Sequence, residues 1–458
     1  MKQTDISRHS DLFKGYTELR IQENRDSGVA MVEGTIMGNS RSSVSGVSAR
    51  CYRSGSWGFA SSPDSSDDAV KHVIQAAWEN AAFLHRHEQK GLPDLSVPAA
   101  AGEWDYTTKK PAASQKDRID FVKEMDNYIR GKFPKLISRT ISMRSSDMEK
   151  QLLTSTGTRA FSMIPGSIMY VLLTVDTDSG PVELYDVLGG RGQFEDVFVK
   201  PSSYYERLDQ LYEHLLNKSE GVFPEAGISQ CILDADVAGI LAHEAIGHTT
   251  EADLVRGGSV AADNMGKMVA SPLITLKDYA HTCMGETCPV PVHIDDEGTF
   301  AEDVTIIENG ILKGYMHNLE SALEFGAKPA GNARAYKFSD EPLIRMRNTA
   351  ILPGKSKLSD MIESVEDGYY LIQSSNGQAD STSEFMFGIV LGYEIENGKI
   401  GRALKDVTIS GVAFDMMKTV TAVSDDMSWK MGMCGKKQSI PVGMGGPAIK
   451  CMINLGGK

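Results

Sequence analysis

Short runs rich in β-branched and aromatic residues, TELRIQEN, VAMVEGTI and SGVSARCYRSGSWGFAS, follow one another between residues 17 and 62, bounded by Gly, Ser and Asn. They predict an antiparallel meander of short strands. The period then changes. After the capping residues of SSPDSSDD, the apolar positions Val70, Val73, Ile74, Ala77 and Phe83 recur at helical spacing and predict a helix over 67–87. The proline-bearing stretch from Glu88 to Ser114 shows little periodicity and is expected to be an exposed connection. Ile119, Phe121, Val122, Met125 and Ile129 mark a second amphipathic helix. Strands return in LISRTISM and SIMYVLLTVDT, and YYERLDQLYEHLLNKS (204–219) reads as a third helix.

GVFPEAG (221–227) breaks the pattern with two glycines and a proline, and the domain boundary is expected there. Beyond it comes a short apolar strand, then Asp234 and Asp236 as N-cap candidates, then a helix expected to end near Gly257-Gly258. Strand signals dominate from there on, with Asn309-Gly310 between β-rich runs predicting a hairpin. The fold class is therefore α+β. An N-terminal layer domain of antiparallel strands and helices is expected over 1–222, and a mostly β C-terminal domain over 223–458, built around one helix.

Length and composition narrow the function. At ~150 residues per domain, 458 residues suit two large domains or three. Hydrophobic residues at 41% and charged residues at 24% fit a globular chain and exclude disorder and collagen-like repeats. A formal charge of −14 opposes a phosphate backbone, which argues against nucleic acid as the primary partner. The N-terminal MKQTDISRHSDLFKGY has no apolar signal core, and no stretch approaches the ~20 apolar residues of a bilayer span, so a cytoplasmic chain without a membrane partner is expected. Six cysteines are too sparse for a disulfide scaffold, which leaves metal ligation or nucleophilic attack as the chemistry to look for at any of them.

The segment HEAIGH places His243, Glu244 and His248 within six residues of the expected helix. Neutral imidazoles hold Zn²⁺, and an adjacent Glu can take a proton from an activated water. The spacing is unusual. Histidines four apart share a helix face, whereas five apart they stand ~500° around, or ~140° off register at ~100° per residue. Sharing one metal would require a π-bulge or a helix that ends between them, and Gly247 makes either cheaper. A third ligand must come from elsewhere.

HEAIGH with Glu251 and Asp253 resembles the metal-binding signature of the TldD branch of the TldD/PmbA family, also known as modulators of DNA gyrase. The resemblance continues through Asp295-Asp296-Glu297-Gly298-Thr299, the hairpin IENGILKGYMHN, Gly331-Asn332-Ala333-Arg334, Gly377-Gln378-Ala379-Asp380, and Gly432-Met433-Cys434-Gly435-Lys436 with PVGMGGPAI after it. With SGVSARCYRSGSWGFAS it covers nearly the whole chain from about residue 16. It implies a cytoplasmic metallopeptidase with one zinc per chain, ligated by His243, His248 and Cys434, with Glu244 as the catalytic carboxylate. A His₂Cys set leaves the fourth tetrahedral position open, as catalytic zinc requires. Unfolded or extended polypeptide is the expected substrate, captured by pairing with a strand edge. The assembly is expected to be a homodimer or a heterodimer with a PmbA/TldE-like chain. The alternative is a non-catalytic scaffold acting through such a partner. Glu251 and Asp253 are candidates to orient an imidazole, or are simply acids near the helix end.

Other features compete. His281, Cys283, Cys288 and His293 fall within thirteen residues and could form a second metal site, with plain loop cysteines as the default. Asp295-Asp296-Glu297 lacks the calcium-loop pattern and reads as an acidic turn that helps to shape a cleft. Cys451, in an alternating apolar strand, reads as an ordinary strand residue and is the competitor to Cys434.

Overall fold

Side chains alternate along a strand, and in the N-terminal half the alternation serves two packing surfaces. The computed structural model describes residues 6–88, 91, 93–95 and 97–456. Strands β1 (Tyr16–Val32), β2 (Thr35–Arg53), β3 (Ser56–Ser62), β4 (Ala101–Asp105), β5 (Leu136–Thr154), β6 (Arg159–Val175) and β7 (Val182–Arg191) form one sheet. Its order is β3-β2-β1-β5-β6-β4, with β7 also paired to β6. Leu19, Ile21, Val47, Ala49 and Cys51 point to one side and pack on helix α1 (Asp67–Glu88). Farther along the same side, Val29, Met31, Ile141 and Met143 pack with Phe121, Val122, Met125 and Ile129 of helix α2 (Gln115–Lys132) and with Leu208, Leu211 and Leu215 of the Tyr205–Ser219 helix. The capping box of α2 is complete, with Ser114 and Asp117 exchanging backbone and side-chain hydrogen bonds.

Two expectations are corrected here. TELRIQEN and the start of VAMVEGTI are not separate strands but one 17-residue strand, β1, which turns at Glu33-Gly34 where both residues take positive φ. Pairing with β2 on one side and β5 on the other carries the backbone through the polar stretch where apolar alternation lapses. The connection after α1 also contains a strand. Residues 101–105 pair in parallel with 159–163 of β6, filling the part of that edge that β7, whose last residue Arg191 lies opposite Gly166, leaves open. Residues 89, 90, 92 and 96 of that connection lie outside the described residues.

The C-terminal half holds two larger sheets. One has six strands in the order Ile311–Leu312, Val304–Glu308, Leu276–Tyr279, Asn348–Ile351, Gln438–Gly446, Ser428–Lys436. The other follows Asp367–Ala379, Gly227–Leu233, Ile449–Gly456, Val407–Val412, Glu384–Glu396, Lys399–Ala403, with Ala422–Val423 beside Ile449–Gly456. The fold is thus mixed α+β and mostly β in this half, as the sequence predicts. The expected hairpin is present: Asn309 and Gly310 both have positive φ between paired strands.

Between the two sheets runs the helix Ala235–Leu241, packed on strands of both. Val237, Ala238 and Leu241 are its contribution to the largest core among the described residues, which Ala242, Ala245 and Ile246 just beyond it extend. Gly239 lets it approach closely: a Cβ there would lie 3.1 Å from the backbone of Gly445. Asp234, rather than Asp236, is the N-cap, its side chain accepting from the Ala235 N–H.

Candidate metal centre

The helix expected to end near Gly257 is interrupted between the two histidines, as their spacing demands. After Leu241 it widens into a π-turn over Ala242–Gly247, tightens into a 3₁₀ turn at His248–Thr250, becomes extended at Glu251 and resumes only at Ala252–Arg256. The His248 N–H donates to the His243 carbonyl, a bond spanning five residues, so the two histidines stand one wide turn apart. Their rings meet edge to face with centroids 5.3 Å apart. Gly247 permits this: a Cβ there would lie 2.1 Å from the Met346 sulfur packed beneath the turn.

Cys434 arrives from the edge strand Ser428–Lys436, placing its Sγ 3.1 Å from His248 Nε2. One donor atom from each of His243, His248 and Cys434 lies within 4.8 Å of the others, and this is the one such group of three among the described residues. His243 supplies the test of fit. It is fully buried, and neither ring nitrogen has a hydrogen-bond partner, although buried polar groups are nearly always paired. Burial, together with His248, Arg345 and Arg334, holds its pKa well below the ordinary value, so it is the neutral imidazole that a metal requires. Two nitrogens and a sulfur at these separations suit zinc, with bond lengths of ~2.0–2.3 Å.

Carboxylates surround the group. Glu251 is buried and its Oε2 accepts from His248 Nδ1 at 2.9 Å, which leaves Nε2 facing Cys434. Burial disfavours a cationic His248, yet Glu251 and the Cys434 sulfur overcome it and push its pKa up to about 10. The field at this point favours a positive charge. Asp253 does not reach a histidine. It and Glu251 both bind Lys436 Nζ, at 2.9 and 3.0 Å. Glu244 lies on the open side, its Oε2 3.6 Å from His248 Nε2 and its side chain 29% exposed, with burial raising its pKa.

Sequence reasoning assigned no role to the arginines behind this group, although Arg334 lies in the Gly331-Asn332-Ala333-Arg334 motif. Arg345, fully buried, donates to the carbonyls of Cys434, at 2.7 Å, Lys436 and Gln438, and so fixes the strand end that carries Cys434. Arg334 binds the carbonyls of Met346 and Pro441. Arg347 pairs with Asp278 at 2.8 Å, both side chains fully buried. The available signal is Arg345 and Arg347 two apart in LIRMRN, an apolar alternation in which arginine holds one face.

The remaining candidates separate from the site. Cys451 is buried opposite Cys231 in the other sheet. His281 and His293 stack with centroids 4.2 Å apart, while Cys283 lies in a two-residue hairpin strand, its sulfur 3.9 Å from Met427 Sδ; they form no metal cluster with Cys288 among the described residues. The acidic turn is buried. Asp295 accepts from the N–H groups of Glu297, Thr299 and Ala333, Asp296 takes Lys150, and Glu297 takes Arg50 and the Leu319 N–H.

A buried cluster of metal-ligand side chains with a carboxylate on its open side, carried by a helix between two sheets, is the architecture of a metal-dependent hydrolase. Residues 226–455 match the PmbA/TldA metallopeptidase C-terminal domain and residues 17–81 match PmbA/TldA metallopeptidase domain 1. The chain is 33% identical to a metalloprotease TldD homolog of Buchnera aphidicola, over 95% of this chain and 91% of that one. It is 28% identical to a zinc metalloprotease TldD homolog of Saccharolobus solfataricus, over 88% of each. Two solved structures share the fold: a candidate modulator of a DNA gyrase from Thermotoga maritima (TM-score 0.80, 18% identity, 96% of both chains) and TldE from Thermococcus kodakarensis (TM-score 0.77, 19% identity, 99% of both). The chain belongs to the PmbA/TldD metallopeptidase family.

Proposed function

We propose that this protein is a zinc peptidase that hydrolyses extended or unfolded polypeptide, with one zinc per chain held by His243, His248 and Cys434 and with Glu244 as the proton-transferring group. The observation that carries the reading is the fully buried His243, with both nitrogens unpartnered beside a π-turn that brings His248 to the same point. The zinc named for the Saccharolobus relative supports the choice of metal, as does the thiolate, a ligand that manganese and magnesium disfavour. When bound, zinc supplies Lewis-acid activation of water and of the peptide carbonyl.

The side chains do the rest. His243 donates from a neutral, water-free position. Glu251 holds the His248 ring by its Nδ1 and keeps Nε2 directed at the metal position. Glu244, whose proton affinity burial raises, accepts the proton of the attacking water and returns it to the leaving amine. An extended substrate suits the strand Ser428–Lys436, which ends its sheet and among the described residues pairs only with Gln438–Gly446, so its outer edge can accept one more strand beside Cys434.

The two-part organisation, 1–222 and 223–458, is supported by sheets that share no strand across residues 191–227. The fold shared with TldE supports assembly as a homodimer or with a TldE-like chain. A cytoplasmic location is supported by six buried free cysteines, and no described helix is long and apolar enough to cross a membrane. Glu244→Gln is the test. Peptidase kcat should fall ~10²- to 10⁴-fold with zinc content unchanged, and undiminished hydrolysis would remove Glu244 from the mechanism and favour the scaffold alternative.

A further inference from the structure

Opposite its helices, the N-terminal sheet does not close completely on the C-terminal half. A cleft of about 360 Å³ remains between them, within the ~300–1,000 Å³ of sites that take small ligands or side chains. Trp104, Phe161, Ile164 and Ile168 line it from the sheet, and Met431 and Met433 from the strand that carries Cys434. The buried ionisable groups Lys150, Asp295, Asp296 and Arg334 in its wall already have protein partners. Lys150 binds Asp296 and the Ala335 carbonyl, both at 2.7 Å, Asp295 accepts from three backbone N–H groups, and Arg334 binds two carbonyls. Arg144 is exposed, and it lines the cleft with the others. Away from the exposed Arg144, the lining is mainly apolar, and its buried charges Lys150, Asp295, Asp296 and Arg334 are already engaged.

The wall of the cleft is linked to the metal centre in two ways. Arg334, in its wall, binds the carbonyl of Met346, whose sulfur packs under Gly247 of the π-turn. Met431 and Met433 are two apart on the Ser428–Lys436 strand, hence on one face, and Cys434 is on the other. A peptide added to this edge alternates in the same way. Side chains on the methionine face then enter the cleft while the neighbouring backbone passes Cys434.

We propose that this cleft is a specificity subsite that takes one large apolar side chain of the peptide substrate, so that the protein selects extended segments containing residues such as Leu or Phe. The proposal rests on the peptidase reading above for its orientation, and binding can be measured without turnover. Fluorescein-labelled Thr-rich decapeptides with Leu, Phe, Ser or Asp at one position, moved along the peptide one residue at a time, would be titrated into zinc-loaded Glu244→Gln protein and followed by anisotropy. The same peptides would be offered to the wild type for cleavage.

At one register Leu and Phe should bind about 10-fold or more tighter than Ser or Asp, the factor expected for burying such a side chain. Ile168→Asp should abolish that preference with zinc content and melting temperature retained, and Ile164→Thr, a milder change, should reduce it if the first variant folds poorly. Equal binding of all four peptides at every register, or an undiminished preference in both variants, would overturn the subsite even if the wild type cleaves every peptide. A Leu preference in binding without any cleavage by the wild type would uphold the subsite and remove the peptidase reading.

Discussion

At the scale of single residues, the candidate ligands differ in position. Cys434 faces His248 Nε2, Glu251 occupies Nδ1 on the other side of the ring, and Cys451 lies in a different sheet against Cys231. Replacing Cys434 by Ser should remove bound zinc, measured per chain by atomic absorption, whereas Cys451→Ser should retain it. Loss with neither would transfer the third-ligand role to a carboxylate such as Glu251. Glu251→Gln should weaken zinc binding ~10- to 100-fold, the usual cost of losing a partner that orients a metal-ligating histidine. His248→Ala should lose the metal and still fold, because the large cores of the molecule are packed from apolar side chains and stand without a metal staple. Global unfolding of the purified variant by circular dichroism would make the site structural instead.

At the scale of the element, the five-residue histidine spacing was legible as a demand for irregular helix geometry, and a π-turn meets it. Which irregularity occurs was not legible, because Met346, 99 positions from Gly247 in the sequence, supplies the surface against which the turn is shaped. Gly247→Ala would drive a Cβ into the Met346 sulfur, an overpacking that costs ~1–3 kcal/mol, and it should lower the melting temperature and zinc occupancy together. Adding Met346→Ala should restore occupancy. If Gly247→Ala binds zinc normally on its own, the close approach does not set the turn. The missed strand Ala101–Asp105 has the same kind of cause: its five residues pair because β6 presents an open edge, not because their own pattern insists on extension.

At the scale of the whole molecule, the junction between the halves includes a buried polar patch. Arg20 reaches the carbonyls of Lys337, Phe338 and Asp340, Gln22 and Asn24 both bind the Tyr336 carbonyl, and Lys150 binds Asp296. His293 belongs to this junction, stacked on Trp104 at 4.6 Å and bonded through Nε2 to the Tyr106 hydroxyl at 3.0 Å. Burial, with help from nearby His281, lowers its pKa to about 4. Its folded pKa is below the unfolded value of ~6.5, so between those limits the unfolded chain binds more protons and stability is lost as the pH falls from ~6.5 toward 4. Melting temperature should therefore drop between pH 7 and pH 5, and His293→Phe, which keeps the stack and removes the titration, should flatten that dependence. An unchanged slope in the variant would assign it to other groups.

The sequence alone determined the α+β class, the three long helices, the Asn309-Gly310 hairpin and the local group His243, Glu244 and His248, because each rests on periodicity, capping or turn chemistry within a few residues. Tertiary structure decided the rest. The alternation of β1 marks Glu18, Arg20, Gln22 and Asn24 as a polar face, which in isolation reads as solvent-facing. They are 1–4% exposed because the C-terminal half covers them and supplies carbonyls to Arg20, Gln22 and Asn24, and the Asp296 carboxylate to Arg20, from residues more than 270 positions away. Cys434 stands beside His248 for the same reason. The edge strand that carries it is held in place by Arg345 through backbone carbonyls, a contact with no sequence periodicity, since it depends only on where the folded chain brings one guanidinium.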